Sequence, residues 1–109
     1  MSIFITTGRY SKDSIAGLMA QPEGRAKAIS DLFAGVGGRL IDIYFTLGEH
    51  DFLVIAEAPD EKAALAALLP VGASGAVSDM KTCVAYRAAD VAAAAQKAKS
   101  VTYRPPGKA

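Results

Sequence analysis

The 109-residue sequence has one cysteine, one histidine, no long hydrophobic run and almost no net charge. A single cysteine, Cys83, excludes an intrachain disulfide and a cysteine-rich zinc site, and it fits a reducing compartment. The formal net charge of +1 gives no electrostatic reason to expect nucleic acid or an anionic membrane as a partner. No apolar run approaches the roughly 20 residues that span a bilayer, and the first residues do not resemble a signal peptide. We therefore expect a cytoplasmic protein without nucleic-acid or membrane partners.

Hydrophobic residues make up 51% of the sequence, and much of this share is alanine. At this length one domain is expected. We assign residues 1–99 to that domain and residues 100–109, which include Pro105-Pro106-Gly107, to an extended tail.

Alternating and helical apolar patterns predict the order strand, helix, strand, strand, helix, strand and an extra C-terminal helix. Pro22 is expected to open a second segment of the first helical region, and Gly37-Gly38 to end it. Pro70 and Gly72 are expected to mark the end of the next helix. The predicted strands cover residues 2–10, 39–47, 51–58 and 75–86, and the extra helix covers residues 89–99.

This order predicts an α+β, ferredoxin-like βαββαβ fold with an antiparallel four-stranded sheet and an extra C-terminal helix. Right-handed crossovers place both connecting helical regions on one face of the sheet. The other face would carry Leu40, Tyr44, Leu53 and Ile55, which are too apolar or too large for a solvated surface. We therefore expect two sheets to pack face to face in a homodimer, as in a dimeric α/β barrel, or in a larger oligomer.

The hairpin between the second and third strands contains the only histidine, His50, between the carboxylates of Glu49 and Asp51. An imidazole with acidic neighbours can act as a base or a ligand near neutral pH. The structural alternative is a half-exposed histidine at the tip of a turn. Asp51 could be a carboxylate at the mouth of a pocket, or it could accept backbone N–H groups and fix the hairpin. Gly48 supplies the backbone freedom that such a turn can require.

Polar side chains also alternate with apolar ones along two strands, where they are candidates for a ligand site. If these faces point into a dimer barrel, they would line a cavity with a few polar groups among apolar walls. The alternative is an interface with polar groups, in which tyrosine is common. These side chains are Asp42, Tyr44 and Thr46 on the second strand and Thr82 and Tyr86 on the fourth.

Two arginines and the cysteine are weaker candidates for chemistry. Arg9 and Arg39 could hold an anionic substrate, although arginines are more often solvated or ion-paired. Cys83 is expected to be buried and inert. One histidine and scattered carboxylates show no metal-ligand spacing, and the glycines near residue 37 follow a helix rather than open one, unlike a phosphate loop. We expect no metal and no cofactor.

The chain resembles the GYD family of small bacterial proteins from about Phe4 to Tyr86. The resemblance rests on Gly8-Arg9-Tyr10 at the end of the first strand, on Gly37-Gly38, on residues 44–51 and on residues 56–60. The motif that names the family has glycine, any residue, tyrosine and aspartate, and here it is Gly48-Glu49-His50-Asp51, with histidine in place of tyrosine. The resemblance implies two ferredoxin-like protomers with their sheets packed together. It implies no particular reaction.

These observations favour a homo-oligomeric protein that binds a small molecule, as a sensor or a carrier, either between sheet and helices or inside a dimer barrel. The first alternative is a cofactor-free enzyme of the monooxygenase or isomerase type, acting on a small aromatic or carbonyl compound. In that case His50, Tyr44 or Asp51 would move a proton. The second alternative is a structural or assembly module. An enzyme needs a pocket and a titratable group, a binding protein needs only the pocket, and an assembly module needs neither.

Overall fold

Alternating β-prone residues and amphipathic helices build the elements that the sequence predicts. The computed structural model describes residues 1–108. Its elements in chain order are β1 (Ser2–Tyr10), α1 (Lys12–Ala20), α2 (Arg25–Ala34), β2 (Arg39–Phe45), β3 (Phe52–Ala58), α3 (Glu61–Ala73), β4 (Val77–Ala85) and α4 (Ala88–Ala98). The strands form one antiparallel sheet in the order β2-β3-β1-β4. The predicted α+β, ferredoxin-like fold with an extra C-terminal helix is confirmed. The predicted tail is without helix or strand from Val101 to Lys108, and Ala109 lies outside the described residues.

The core lies between the sheet and the layer of α1, α2 and α3. Strand alternation directs every second side chain of β1 and β3 toward this layer. Small alanines on α3 and the large ring of Phe33 on α2 pack against them. The buried apolar residues are Phe4, Phe33, Phe52, Val54, Ala56, Ala58, Ala64 and Ala67.

Two helix boundaries differ from the prediction, and both involve proline. Pro22 does not open α2, because Gly24 follows it in a left-handed conformation with φ 94° and the helix begins at Arg25. Pro70 does not end α3, which continues to Ala73. A proline within a helix leaves the carbonyl four residues earlier without its N–H partner. Here that carbonyl belongs to Ala66, which is exposed, so water can hydrate it.

An irregularity in β2 changes which side chains share a face. The register with β3 shifts between Leu40 and Asp42, so that Ile41 is an extra residue. A bulge of this kind reverses the alternation of the side chains before it. Leu40 therefore pairs with Ala56 and packs into the core, whereas Asp42 pairs with Ile55 on the opposite face. The prediction that Leu40 belongs to the uncovered face was wrong, because one sequence gives no signal for the bulge.

The opposite side of the sheet, here called the open sheet face, has no helix packed on it. Helices α1, α2 and α3 lie on the other side, and every residue of α4 is exposed. Cys83 pairs with Ile5 in the sheet and is exposed, so the prediction of a buried cysteine was wrong for the single protomer. The open sheet face carries Ile3, Ile5, Tyr44, Leu53, Ile55 and Cys83.

One carboxylate joins three elements at the end of this sheet. Glu57 on β3 accepts hydrogen bonds at the same oxygen, Oε1, from Nη2 of Arg39 at 2.8 Å and from Nη2 of Arg87 at 2.9 Å. Arg39 begins β2, and Arg87 precedes α4. The hydrogen bond from Arg39 and the charges of both arginines hold the pKa of Glu57 below its ordinary value, although desolvation opposes them.

This pKa predicts a specific acid sensitivity. A carboxyl group whose pKa is lowered by folding stabilises the folded state above its unfolded-state pKa, and that contribution is lost as the pH falls through the folded-state pKa. We expect Glu57→Gln to lower the urea midpoint at about pH 7 and to flatten its fall toward about pH 3. Identical pH dependence in the variant and the wild type would show that Glu57 makes no such contribution.

Candidate functional site

A cavity of about 680 Å³ lies between the sheet and the helix layer. This volume is within the range of sites that enclose small organic molecules, about 300–1,000 Å³. Its walls are mainly apolar and come from β1, β2, β3, β4, α1, α2 and α3. They include Leu18, Ile29, Phe33, Phe52, Val54 and Met80.

Tyr10 carries a polar group into this apolar space. It ends β1, where the parity of the strand directs it to the same side as Phe4 and Thr6. Its ring packs against Phe52, with the ring centroids 4.9 Å apart. Its backbone N–H donates to the Oδ2 atom of Asp51 at 2.8 Å, which fixes the end of the strand.

Arg25 is the second polar group at the cavity. It is the first residue of α2, on the same side of the helix as Ile29 and Phe33, which lie four and eight residues later. Its Nε atom is buried and has no hydrogen-bond partner among the described residues. A buried donor without a partner is uncommon in folded proteins and calls for an explanation.

Three other polar side chains of the lining, Thr6, Ser14 and Ser74, have hydrogen-bond partners within the structure. The Oγ1 atoms of Thr6 and Thr82 are 2.8 Å apart, and the Ser14 hydroxyl donates to the carbonyl of Ala76 at 2.8 Å. Gln21 and Glu23 also border the cavity, and both are exposed. The groups that remain to face a bound molecule from within are Tyr10 and Arg25.

The environment of Tyr10 controls the protonation of its phenol. Burial raises the pKa of Tyr10 above its ordinary value, and the charge of Asp51 adds to this rise. The positive charge of Arg25 acts in the opposite direction. The net pKa is raised, so the hydroxyl stays protonated near neutral pH and can donate a hydrogen bond.

The loop between β2 and β3 contains the predicted His50 cluster, and hydrogen bonds attach it to β1. The Asp51 backbone N–H donates to the carbonyl of Gly8 at 2.8 Å, and the Thr46 hydroxyl donates to the carbonyl of His50 at 2.7 Å. Arg9 donates from Nε to the carbonyl of Glu49 at 3.0 Å. Asp51 and Arg9 therefore hold the loop against the strand that carries Tyr10. Gly48 has a φ of 128°, which favours glycine at this turn.

His50 does not line the cavity. It is half-buried, and its Nε2 atom has no hydrogen-bond partner among the described residues. The neighbouring carboxylate of Asp51 accepts from the backbone of Tyr10. The structure therefore places His50 in the loop beside the end of β1 and outside the lining of the cavity to which Arg25 belongs.

The other predicted site residues lie in separate places. The Tyr44 hydroxyl donates to Oδ2 of Asp42 at 2.7 Å on the open sheet face, and this hydrogen bond raises the pKa of Tyr44. Thr82 faces the helix layer beside Thr6, and Tyr86 lies beyond the end of β4 and is 72% exposed. The prediction that the polar faces of the second and fourth strands could line one cavity was wrong, because Thr82 lies on the opposite side of the sheet from Tyr44.

The sequence analysis did not single out Tyr10 and Arg25 as site residues. Strand parity could have identified Tyr10, since Phe4, Thr6, Gly8 and Tyr10 are spaced two residues apart. Arg25 begins the apolar stripe of α2, where a cation is unexpected. That the two residues share one cavity depends on tertiary packing and has no signal in one sequence.

Comparisons with known proteins agree with this fold. The family model described as "GYD domain" matches residues 4–95. The solved structure of FFRP-DM1 has a TM-score of 0.51 at 15% identity and covers 79% of this chain and 100% of its own. The structure of MtbAldR has a TM-score of 0.51 at 11% identity and covers 79% of this chain and 52% of its own.

A third solved structure, TTHA0845 from Thermus thermophilus, has a TM-score of 0.48 at 18% identity and covers 81% of this chain and 96% of its own. No curated protein matches the chain. Within residues 1–108 the structure contains no helix of the length and hydropathy needed to span a membrane. Likewise, no three His, Cys, Asp or Glu side chains of these residues are grouped so that they could hold a metal ion.

Proposed function

This chain belongs to the GYD domain family, and from that premise we propose that it is a homo-oligomeric protein that binds a small molecule between its sheet and its helices. The observation that carries the proposal is the cavity of about 680 Å³ with mainly apolar walls. Small-molecule sites typically combine such walls with a few polar groups that orient the ligand. In this cavity Tyr10 and Arg25 are the polar groups that would orient the ligand.

The cavity supports binding more strongly than catalysis. A cofactor-free enzyme needs a titratable group that can exchange a proton with its substrate near neutral pH. The phenol of Tyr10 has a raised pKa, which makes it a poor base. His50 is not part of the lining. The groups inside the cavity therefore favour holding a ligand over abstracting a proton from it, and the one carboxylate at its border, Glu23, is exposed to solvent.

The cavity can be tested by filling it. Gly17 on α1 lines the cavity, and a Cβ atom built at this position meets no other atom within 4 Å. We expect Gly17→Leu to fold normally, because leucine has the higher helix propensity, and to occupy space that a ligand would use. The measurement is fluorescence titration with the neutral apolar dye phenylnaphthylamine.

The wild type should bind the dye, and Gly17→Leu should bind it about tenfold more weakly or not at all. Leu69→Ala serves as the matched control, since Leu69 lies on α3 away from the lining and is 62% exposed. It should bind the dye as the wild type does. Equal binding by wild type and Gly17→Leu would overturn the assignment of the cavity as the binding site.

The open sheet face supports self-association as the second part of the proposal. Ile5 on β1 and Ile55 on β3 are direct cross-strand neighbours, and Leu53 lies beside them. A contiguous apolar surface of this kind marks an interaction site. We infer that a second copy covers it, so that two sheets pack face to face. We also assign the dimer to the cytoplasm, because a single free cysteine, Cys83, fits a reducing compartment.

A further inference from the structure

We propose that the ligand of this cavity is an apolar organic acid, such as an aromatic or fatty carboxylate, and that Arg25 and Tyr10 hold its charged group. This inference rests on the proposed function and adds the chemical class of the ligand. The juxtaposition that carries it is a buried guanidinium nitrogen without a hydrogen-bond partner and a phenol hydroxyl, both at one mainly apolar cavity.

Arg25 differs from the arginines that have structural partners. Arg39 and Arg87 share the carboxylate of Glu57, and Arg9 donates to a backbone carbonyl. Among the described residues, Arg25 has no ion pair, and its Nε donor is unsatisfied in an apolar setting. A ligand oxygen with a negative charge would supply the missing acceptor, and a guanidinium can bind a carboxylate through two parallel hydrogen bonds.

The start of α2 adds to the positive potential at the same place. Its N-cap, Gly24, provides no side chain to accept a hydrogen bond, and the first turn contains no acidic residue. The first amide N–H groups of a helix lack partners within the helix, and the helix dipole places partial positive charge there. Gly24, Arg25 and Ala28 all border the cavity. The backbone at the start of α2 and the side chain of Arg25 therefore both favour a negatively charged ligand group at this side of the cavity.

Among the described residues, no acidic side chain forms an ion pair with Arg25. Asp51 does not line the cavity, and its carboxylate is engaged by the backbone N–H of Tyr10. Glu23 borders the cavity but is exposed, and no ion pair connects it to Arg25 among the described residues. The remaining walls are mainly apolar, which favours an acid with a hydrocarbon body over a sugar or a polyanion.

Two dyes with the same ring skeleton can test this ligand class. Anilinonaphthalene sulfonate carries one negative charge, and phenylnaphthylamine carries none. The wild type should bind the anionic dye about tenfold or more tightly than the neutral one. The reason is that a hydrogen bond to a charged group contributes more free energy than a hydrogen bond between neutral groups, by about the amount that corresponds to this factor. Naphthoate should displace the anionic dye, and naphthalenemethanol should displace it about tenfold less well.

Two substitutions remove the proposed anion contacts. Arg25→Gln should abolish the preference for the anionic dye, measured as the ratio of the dissociation constants of the two dyes. Tyr10→Phe, which keeps the ring, should weaken binding of the anionic dye alone by about threefold to tenfold. It provides an independent test if the Arg25 variant is poorly folded by circular dichroism.

Lys27→Gln is the matched control for charge. Lys27 lies on the same helix turn, is exposed and pairs with Asp31 at 2.7 Å. It should bind both dyes as the wild type does. Two results would overturn the acid class and leave the cavity proposal standing. In the first, the wild type binds the neutral dye and binds the anionic dye no more tightly. In the second, the anionic dye keeps its higher affinity in both Arg25→Gln and Tyr10→Phe. If Gly17→Leu binds both dyes as tightly as the wild type does, both proposals fail.

Discussion

Ile55→Asp should convert the proposed homodimer into monomers or an aggregating species at micromolar concentration. Ile55 lies on β3, one of the two inner strands of the sheet, between Ile5 of β1 and Asp42 of β2 on the open sheet face. Two-fold packing of the sheets would enclose two new carboxylates in an apolar interface. An uncompensated buried charge costs about 3–5 kcal/mol, so we expect the dissociation constant to rise at least 100-fold. Light scattering would measure the mass.

Leu69→Asp is the matched control, since it introduces the same charge at an exposed apolar position on the helix side. Its mass should remain that of the wild type. A dimer of unchanged mass and affinity in Ile55→Asp would show that the open sheet face is not the interface. Because Ile55 and the cavity lie on opposite sides of the sheet, a soluble monomer should still bind the neutral dye.

The order of elements was predictable because hydrophobic alternation is strong wherever one face is buried. In β1 and β3 the residues Phe4, Thr6, Phe52 and Val54 follow a strict period of two, and all are buried. The prediction failed at Leu40, where one extra residue changes the parity without a compositional signal. It also failed at Pro70, because the cost of a proline depends on whether the freed carbonyl reaches water, and this is a tertiary property.

The candidate site was less predictable than the fold, for a related reason. His50 attracted the functional hypothesis because it is the only histidine, but rarity contains no information about which side chains meet. Tyr10 and Arg25 are common residue types on different elements, and they become a candidate site only because the end of β1 and the start of α2 border one cavity. Their chemistry comes from desolvation and from a missing partner, which are properties of the folded chain.

Gly38→Ala should destabilise the protein by about 3 kcal/mol. A Cβ atom built at Gly38 would lie 2.1 Å from the carbonyl oxygen of Glu57 and 3.2 Å from the Cα atom of Ala58. Both obstacles are backbone atoms of β3, which pairs with strands on both sides, and Ala58 is 0% exposed. A side chain could rotate away, but an inner strand cannot move without disturbing its hydrogen bonds. The methyl group must therefore displace the entry into β2.

Gly17→Ala provides the opposite case with the same substitution. Nothing lies within 4 Å of a Cβ atom at Gly17, and the residue is inside α1. Alanine is favoured over glycine in a helix by up to about 1 kcal/mol, so this variant should be slightly more stable than the wild type. Urea unfolding of all three proteins at one protein concentration separates the two effects, because the proposed dimerisation would make stability depend on concentration. Equal urea midpoints for Gly38→Ala and the wild type would contradict this prediction. They would mean that the start of β2 can move away from the backbone of Glu57 with little loss of stability, and that the Arg39–Glu57 ion pair does not fix this edge of the sheet.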